Sequence, residues 1–279
     1  MQYVCTSLPH PGTSQVSTFQ GLHASAAVDR PQTIKNELLV ARTAGRGAEK
    51  NTNLAVSALK PLCGSKQALT GFSLNPHHAV GVDWPTVRAR RPDARVLVWD
   101  RTNWVKKVAS AVLFETKGCR HHNIRTAREA RRCHHRKPTT IELIDFLARV
   151  RGEACDSATL YALGAEFAND TQVVVATYEA FRNDAGAELT RVFRELGLDA
   201  SAARKTPPRT MKRSPESLSR VFSNHKDLAR ALKRWAPKGC RLEGMILDTK
   251  GTRPFRCNAA RACDHFRELE RACRGGGEC

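Results

Sequence analysis

Two short runs of apolar, largely β-branched residues do most to limit what this chain can fold into: "ARVLVW" at 94–99 and "TQVVVATY" at 171–178. Both are shorter than an ordinary helix and carry few polar positions, the pattern of a buried strand. A helical pattern follows each of them. "TNWVKKVASAVLF" places Trp104, Val105, Val108, Ala109, Val112 and Leu113 on one apolar stripe. "DAGAELTRVFRELGLD" offers Asp184 as an N-cap, a stripe of Leu189, Val192, Phe193 and Leu196, and Gly197 as a stop. Strands that alternate with helices predict an α/β fold, a largely parallel β-sheet flanked by helices on both faces.

The rest of the chain fits that frame less sharply. "YVCTSL" (3–8) and "ALTGFSL" read as further β-runs, and "QVSTFQGLHA", "KNELLVA" and "NLAVSALKPL" as helices, the last two around the loose "RTAGRGAEKN". "TTIELIDFLARV" opens with Thr139 three residues before Glu142, a capping-box spacing, and continues helically. No internal repeat is visible. With 279 residues, 41% of them hydrophobic, the chain can bury a sizeable core, and that composition fits neither a disordered chain nor a membrane protein. No stretch approaches the roughly 20 apolar residues of a membrane span. "MQYVCTSLP" lacks the basic start and apolar middle of a secretory signal, so the chain as given is expected to be soluble.

Charge and cysteines narrow the partners. A formal net charge of +19 predicts an anionic one: nucleic acid, a phosphorylated cofactor, a sulfated or acidic glycan, or a membrane surface. Ten cysteines are many for a cytosolic protein of this size. Cys5, Cys63, Cys119, Cys133 and Cys155 are scattered through the body, whereas Cys240, Cys257, Cys263, Cys273 and Cys279 crowd the C-terminal stretch. A disulfide set there would imply an oxidising compartment, and reduced thiols fit the spacing equally well.

In a parallel α/β sheet, ligands bind beyond the carboxyl ends of the strands, where helix N-termini point. Two loops answer to that description. "PHPGTS", after the first β-run, has Gly12 for close backbone approach and the hydroxyls of Thr13 and Ser14 for a phosphate; with one glycine and no lysine it is not the usual nucleotide loop. "DRTN", after "ARVLVW", ends a strand on Arg101, whose planar fork of donors suits a phosphate, with Ser110 nine positions further on.

The run "ARVLVWDRTNWVKKVASAV" resembles the strand, loop and helix with which the sulfotransferase superfamily holds the 3′-phosphate of 3′-phosphoadenosine 5′-phosphosulfate (PAPS). "LPHPGTS" is similar to that family's phosphosulfate loop, "GFSLNP" to a core strand, and "VVVATYEAFRNDAGAELTRVFRELGLD" to its strand, turn and helix. "KRSPESLSRVFSNHKDL" is similar to a C-terminal segment of the bacterial and algal carbohydrate-type branch. The matches run in order over roughly residues 3 to 235. The resemblance implies a P-loop-nucleotide-kinase-like sulfotransferase fold over 1–238, followed by a basic, cysteine-rich and poorly packed tail over 239–279. It implies Arg101 and Ser110 on the 3′-phosphate, and Pro11, Gly12, Thr13 and Ser14 at the 5′-phosphosulfate. Tyr178 would lie near the adenine, with Lys212 and Arg213 closing over the nucleotide. Glu37, in "KNELL", would be the catalytic base and His10 the cation beside the leaving group. His10 and Pro11 depart from the basic residue and serine usual there. The expected activity moves a sulfuryl group from PAPS to a hydroxyl or amine of an anionic or neutral glycan or small molecule, leaving PAP and requiring no metal. The location implied is the cytoplasm, or the Golgi lumen if an upstream anchor is missing.

Two other readings compete. "KGCRHHNIRTAREARRCHHRK" contains Cys119, His121, His122, Cys133, His134 and His135, donors suited to zinc, but in a spacing that matches no common site. A basic nucleic-acid- or polyanion-binding protein without catalysis would also explain the charge. Nucleic acid is the less expected partner, because no reader motif is present and aromatics, 6% of the chain, rarely interleave the basic residues.

Overall fold

The computed structural model describes residues 2–5, 35–36, 53, 56, 70–73, 82–90, 92, 94–116, 137–166, 173–197, 200, 217–242, 244–245 and 257–274. Five strands are found there: β1 (Gln2–Cys5), β2 (Lys35–Asn36), β3 (Thr70–Ser73), β4 (Ala94–Asp100) and β5 (Val173–Thr177). The helices are α1 (Trp84–Arg90), α2 (Trp104–Thr116), α3 (Leu143–Glu166), α4 (Tyr178–Asn183), α5 (Ala185–Glu195), α6 (His225–Trp235) and α7 (Ala259–Arg274). The coarse α/β class stands. Contacts divide the chain into two compact units that interleave along the sequence.

The first unit comprises Met1–Asp100, Thr159–Thr177 and Asp184–Pro208 and holds the sheet, in the order β2-β3-β1-β4-β5. β4 and β5 are parallel, in register from Val96 opposite Val173 to Asp100 opposite Thr177, and β2 is parallel to β3. β1 is antiparallel to both its neighbours, so two of the four described strand pairs are antiparallel, which corrects the expectation of a largely parallel sheet. An apolar run encodes a strand and its buried faces, not its direction. Gly164, near the end of α3, lets the helix approach the sheet, since a Cβ there would stand 3.1 Å from Val98 Cγ2. α5 forms as its sequence predicts: Asp184 accepts a hydrogen bond from the Ala187 N–H at 2.9 Å, and Leu189, Val192, Phe193 and Leu196 are buried. Gly197 follows with φ at 71°, the left-handed conformation that ends helices at little cost for glycine. On the same helix Arg191 is clasped by Glu188 and Glu195 and donates to the Val175 carbonyl of β5 at 2.7 Å.

The second unit comprises Arg101–Ala158, Tyr178–Asn183 and Arg209–Cys279. Its core takes the whole predicted stripe of α2, together with Phe146, Leu147 and Val150 of α3, Leu228, Ala231, Leu232 and Trp235 of α6, and Ala262 and Phe266 of α7. Trp104 donates from Nε1 to Ser157 Oγ at 3.1 Å, so this buried indole is satisfied. α3 begins at Leu143, not at a capping box: Thr139 forms an isolated bridge with Phe222, exchanging backbone hydrogen bonds with Val221 and Ser223. Phe222 stands edge-on to Phe146, with ring centroids 5.8 Å apart.

Of the stretch read as a poorly packed tail, Cys240, Leu242, Met245, Ala259, Ala262 and Phe266 are built into this core. Disulfides join Cys155 of α3 to Cys263 of α7, and Cys240 to Cys257. Glu270 of α7, nearly buried, lies 2.6 Å from Arg151 of α3 and 2.9 Å from Arg274. Lys35 and Asn36, expected to open a helix, are strand β2, whereas Asn53 and Val56 are helical as expected. The predicted helix "QVSTFQGLHA" lies outside the described residues.

Candidate functional site

β4 ends at Asp100 and α2 begins at Trp104, leaving a three-residue loop of Arg101, Thr102 and Asn103. Asn103 makes the loop stop where it does. Its Oδ1 accepts the Lys106 N–H at 3.0 Å, the N-cap interaction that satisfies an otherwise unpaired first-turn donor, while its Nδ2 donates to the Met245 carbonyl at 2.9 Å. The residue is fully buried.

A carboxylate from elsewhere in the chain completes the loop. Glu179, in the first turn of α4 and 0% exposed, accepts the Thr102 N–H on Oε2 at 3.0 Å and the Asn103 N–H on Oε1 at 3.1 Å. A negative group in front of a helix N-terminus is favoured by the helix dipole. Burial pushes the Glu179 carboxyl above the ordinary glutamate range; the two backbone N–H groups and the charge of Arg101 oppose that shift without cancelling it. The neighbouring Tyr178 presents its ring to Arg101, whose Cζ lies 4.7 Å from the ring centroid, within cation–π range. Consecutive residues of α4 thus do two jobs: Tyr178 carries the guanidinium and Glu179 fixes the backbone from which it projects.

Ser110 is half-buried on α2, about 9 Å along the axis from Trp104 at 1.5 Å per residue. It shares a helical face with Asn103 and Lys106, three and four residues apart in turn, and Lys106 is itself buried. The structure therefore brings Arg101 and Tyr178 into contact and sets Ser110 on the helix that their loop starts.

The described end of β1 does not lie at the Arg101 end of the sheet. Because β1 runs against β4, Cys5 pairs with Ala94, and β1 ends at the opposite end of β4 from Arg101. His10, Pro11, Gly12, Thr13, Ser14, Glu37, Lys212 and Arg213 lie outside the described residues, as do the six zinc-donor candidates from Cys119 to His135. Among the described residues no cluster of metal donors is found, and no helix is long and apolar enough to cross a membrane.

Sequence reasoning missed Glu179 and Asn103. Asn103 was legible, as a good N-cap residue directly before an apolar stripe. Glu179 had no local signal: it sits 76 residues from the amide it receives, and only the parallel pairing of β4 with β5 aligns the segments that carry them. No family model, curated protein or solved structure matches the chain.

Proposed function

We propose that this chain is a PAPS-dependent sulfotransferase with a P-loop-nucleotide-kinase-like fold, and that Arg101 and Ser110 hold the 3′-phosphate of the nucleotide. The observation that carries the proposal is the Arg101 loop: a guanidinium after a parallel strand, stacked on Tyr178 and held by Glu179 at the head of the helix that bears Ser110. A cation fixed in this way gives up little conformational freedom on taking a phosphate, and its planar fork matches phosphate oxygens. Tyr178, already beneath the guanidinium, adds an aromatic face on the side where an adenine would stack.

The chemistry is an in-line displacement. An acceptor oxygen or nitrogen attacks sulfur, the bond from sulfur to the 5′-phosphate oxygen breaks, and the acceptor proton goes to a base, for which Glu37 is proposed. The leaving group is PAP, whose 5′-phosphate takes the released charge, with His10 proposed as the neutralising cation beside Gly12, Thr13 and Ser14, and Lys212 and Arg213 closing over the nucleotide. Catalysis of this kind depends on positioning and charge compensation more than on covalent participation by the protein. The roles given to His10, Gly12, Thr13, Ser14, Glu37, Lys212 and Arg213 come from the resemblance, and the antiparallel direction of β1 lends them no support. The disulfides support a compartment that is oxidising. A glycan or small-molecule acceptor is part of the same proposal, as the carbohydrate-type resemblance implies.

PAP should raise the melting temperature and ATP, which lacks a 3′-phosphate, should do so far less. Arg101→Ala deletes charge-assisted hydrogen bonds worth about 1.5–3 kcal/mol each and should weaken PAP roughly 10- to 150-fold for one such bond. Calorimetry on the variant is the check. Unchanged PAP affinity would refute the clamp, and an equal response to ATP and PAP would refute the 3′-phosphate reading.

A further inference from the structure

α6 has two very different sides. Leu228, Ala231, Leu232 and Trp235 are buried in the core of the second unit, and Lys226, Arg230, Lys233 and Arg234 are exposed. Their spacing of four, three and one residues sets these cations in a row about 12 Å long at 1.5 Å per residue. One acidic residue, Asp227, lies on the helix, and it is paired with Arg230. α7 is a useful contrast, because its arginines are offset by Asp264, Glu268 and Glu270, with Arg267 paired to Asp264 and Arg274 to Glu270. The excess positive charge of α6 is a property of that face and not of every exposed helix.

The row borders a groove lined by Leu143, at the first residue of α3, and by Asp227, Arg230, Lys233 and Arg234. We infer that this groove binds a linear anionic polysaccharide, sulfated or carboxylated, laid along α6. A line of cations matches a chain with regularly spaced negative groups, and Leu143 gives the groove an apolar wall for the C–H face of a sugar ring. Nucleic acid fits less well. α6 has one aromatic residue, Trp235, which is 3% exposed and faces the core, so among the described residues that line the groove none offers a platform on which a base could stack. The inference stands apart from the nucleotide reading, since it uses no residue of the Arg101 loop.

The test compares two triple variants that lose the same charge. One carries Arg230→Gln, Lys233→Gln and Arg234→Gln on α6; the control carries Arg261→Gln, Arg267→Gln and Arg271→Gln on α7. Binding of a fluorescent heparin oligosaccharide is followed by anisotropy over a salt series. The α6 variant should bind at least about tenfold more weakly than wild type, and its plot of log affinity against log salt should flatten by about two to three, one counterion for each cation removed. The control should lose far less. Lys233→Glu alone should shift affinity in the same direction, which keeps the test decisive if the triple variant folds poorly. Equal losses in the α6 and α7 variants would overturn the site in favour of net charge. Tighter wild-type binding to a single-stranded oligonucleotide than to heparin, lost in the α6 variant, would reassign the groove to nucleic acid and overturn the polysaccharide.

Discussion

Replacing Cys155 and Cys263 together by alanine should lower the unfolding free energy by about 4–5 kcal/mol, the closure entropy of a loop on the order of 100 residues. The two cysteines are 108 residues apart, and their bond ties α7 to α3. Alanine is the informative replacement because Cys263 is nearly buried and a serine hydroxyl there would need a partner. The same substitution at Cys240 and Cys257, 17 residues apart, should cost less, about 3 kcal/mol. Urea titration of both double variants, each retaining all its other disulfides, measures the order of the two effects. A larger loss from the short loop than from the long one would rule out loop entropy as the main source of stabilisation.

Glu179→Ala should be the most damaging single change outside the hydrophobic cores. It leaves the buried N–H groups of Thr102 and Asn103 without their acceptor, at about 1–3 kcal/mol each, and frees the loop that holds Arg101 in place. Glu179→Gln retains one acceptor oxygen and should cost roughly half as much. The two variants also separate packing from ionisation. Burial raises the Glu179 pKa above its ordinary 4.5, so the folded chain keeps a proton that the unfolded chain has already released. The stability from this group is therefore fully present below that ordinary value and is lost as the pH climbs through the folded one. Thermal melts as a function of pH should show this decline in wild type and lack it in Glu179→Gln. Parallel curves would mean that the carboxylate is ionised in both states.

What could be read from the sequence was whatever one segment encodes by itself. α5 carries its cap, its stripe and its stop within fourteen residues, from Asp184 to Gly197, and the structure realises all three. α2 is equally self-contained, and its six stripe residues are all buried. α6 has as clear a stripe in Leu228, Ala231, Leu232 and Trp235, legible from its period alone. α7 was harder, because its buried side is Ala259, Ala262, Cys263 and Phe266, with little apolar bulk among many arginines. Strand direction was not encoded locally at all. In the candidate site, Arg101 was visible as a cation at a strand end and Tyr178 as an aromatic at another, but their contact depends on the pairing of β4 with β5. Thr139 shows the opposite failure: a correct local capping signal was overridden when its backbone found Val221 and Ser223.

Arg191 has a consequence beyond its own helix. β5 is the last strand in the sheet order, and Val175 on it is 40% exposed. Among the described residues no strand pairs with its other edge, and a short valine-rich edge strand is the kind of template on which a second chain adds itself, the first step of ordered aggregation. The guanidinium occupies the Val175 carbonyl at that edge, and the two glutamates that clasp it place fixed charges beside the spot where an incoming strand would dock. An occupied carbonyl and fixed charge beside it both disfavour the addition of a further strand at that spot.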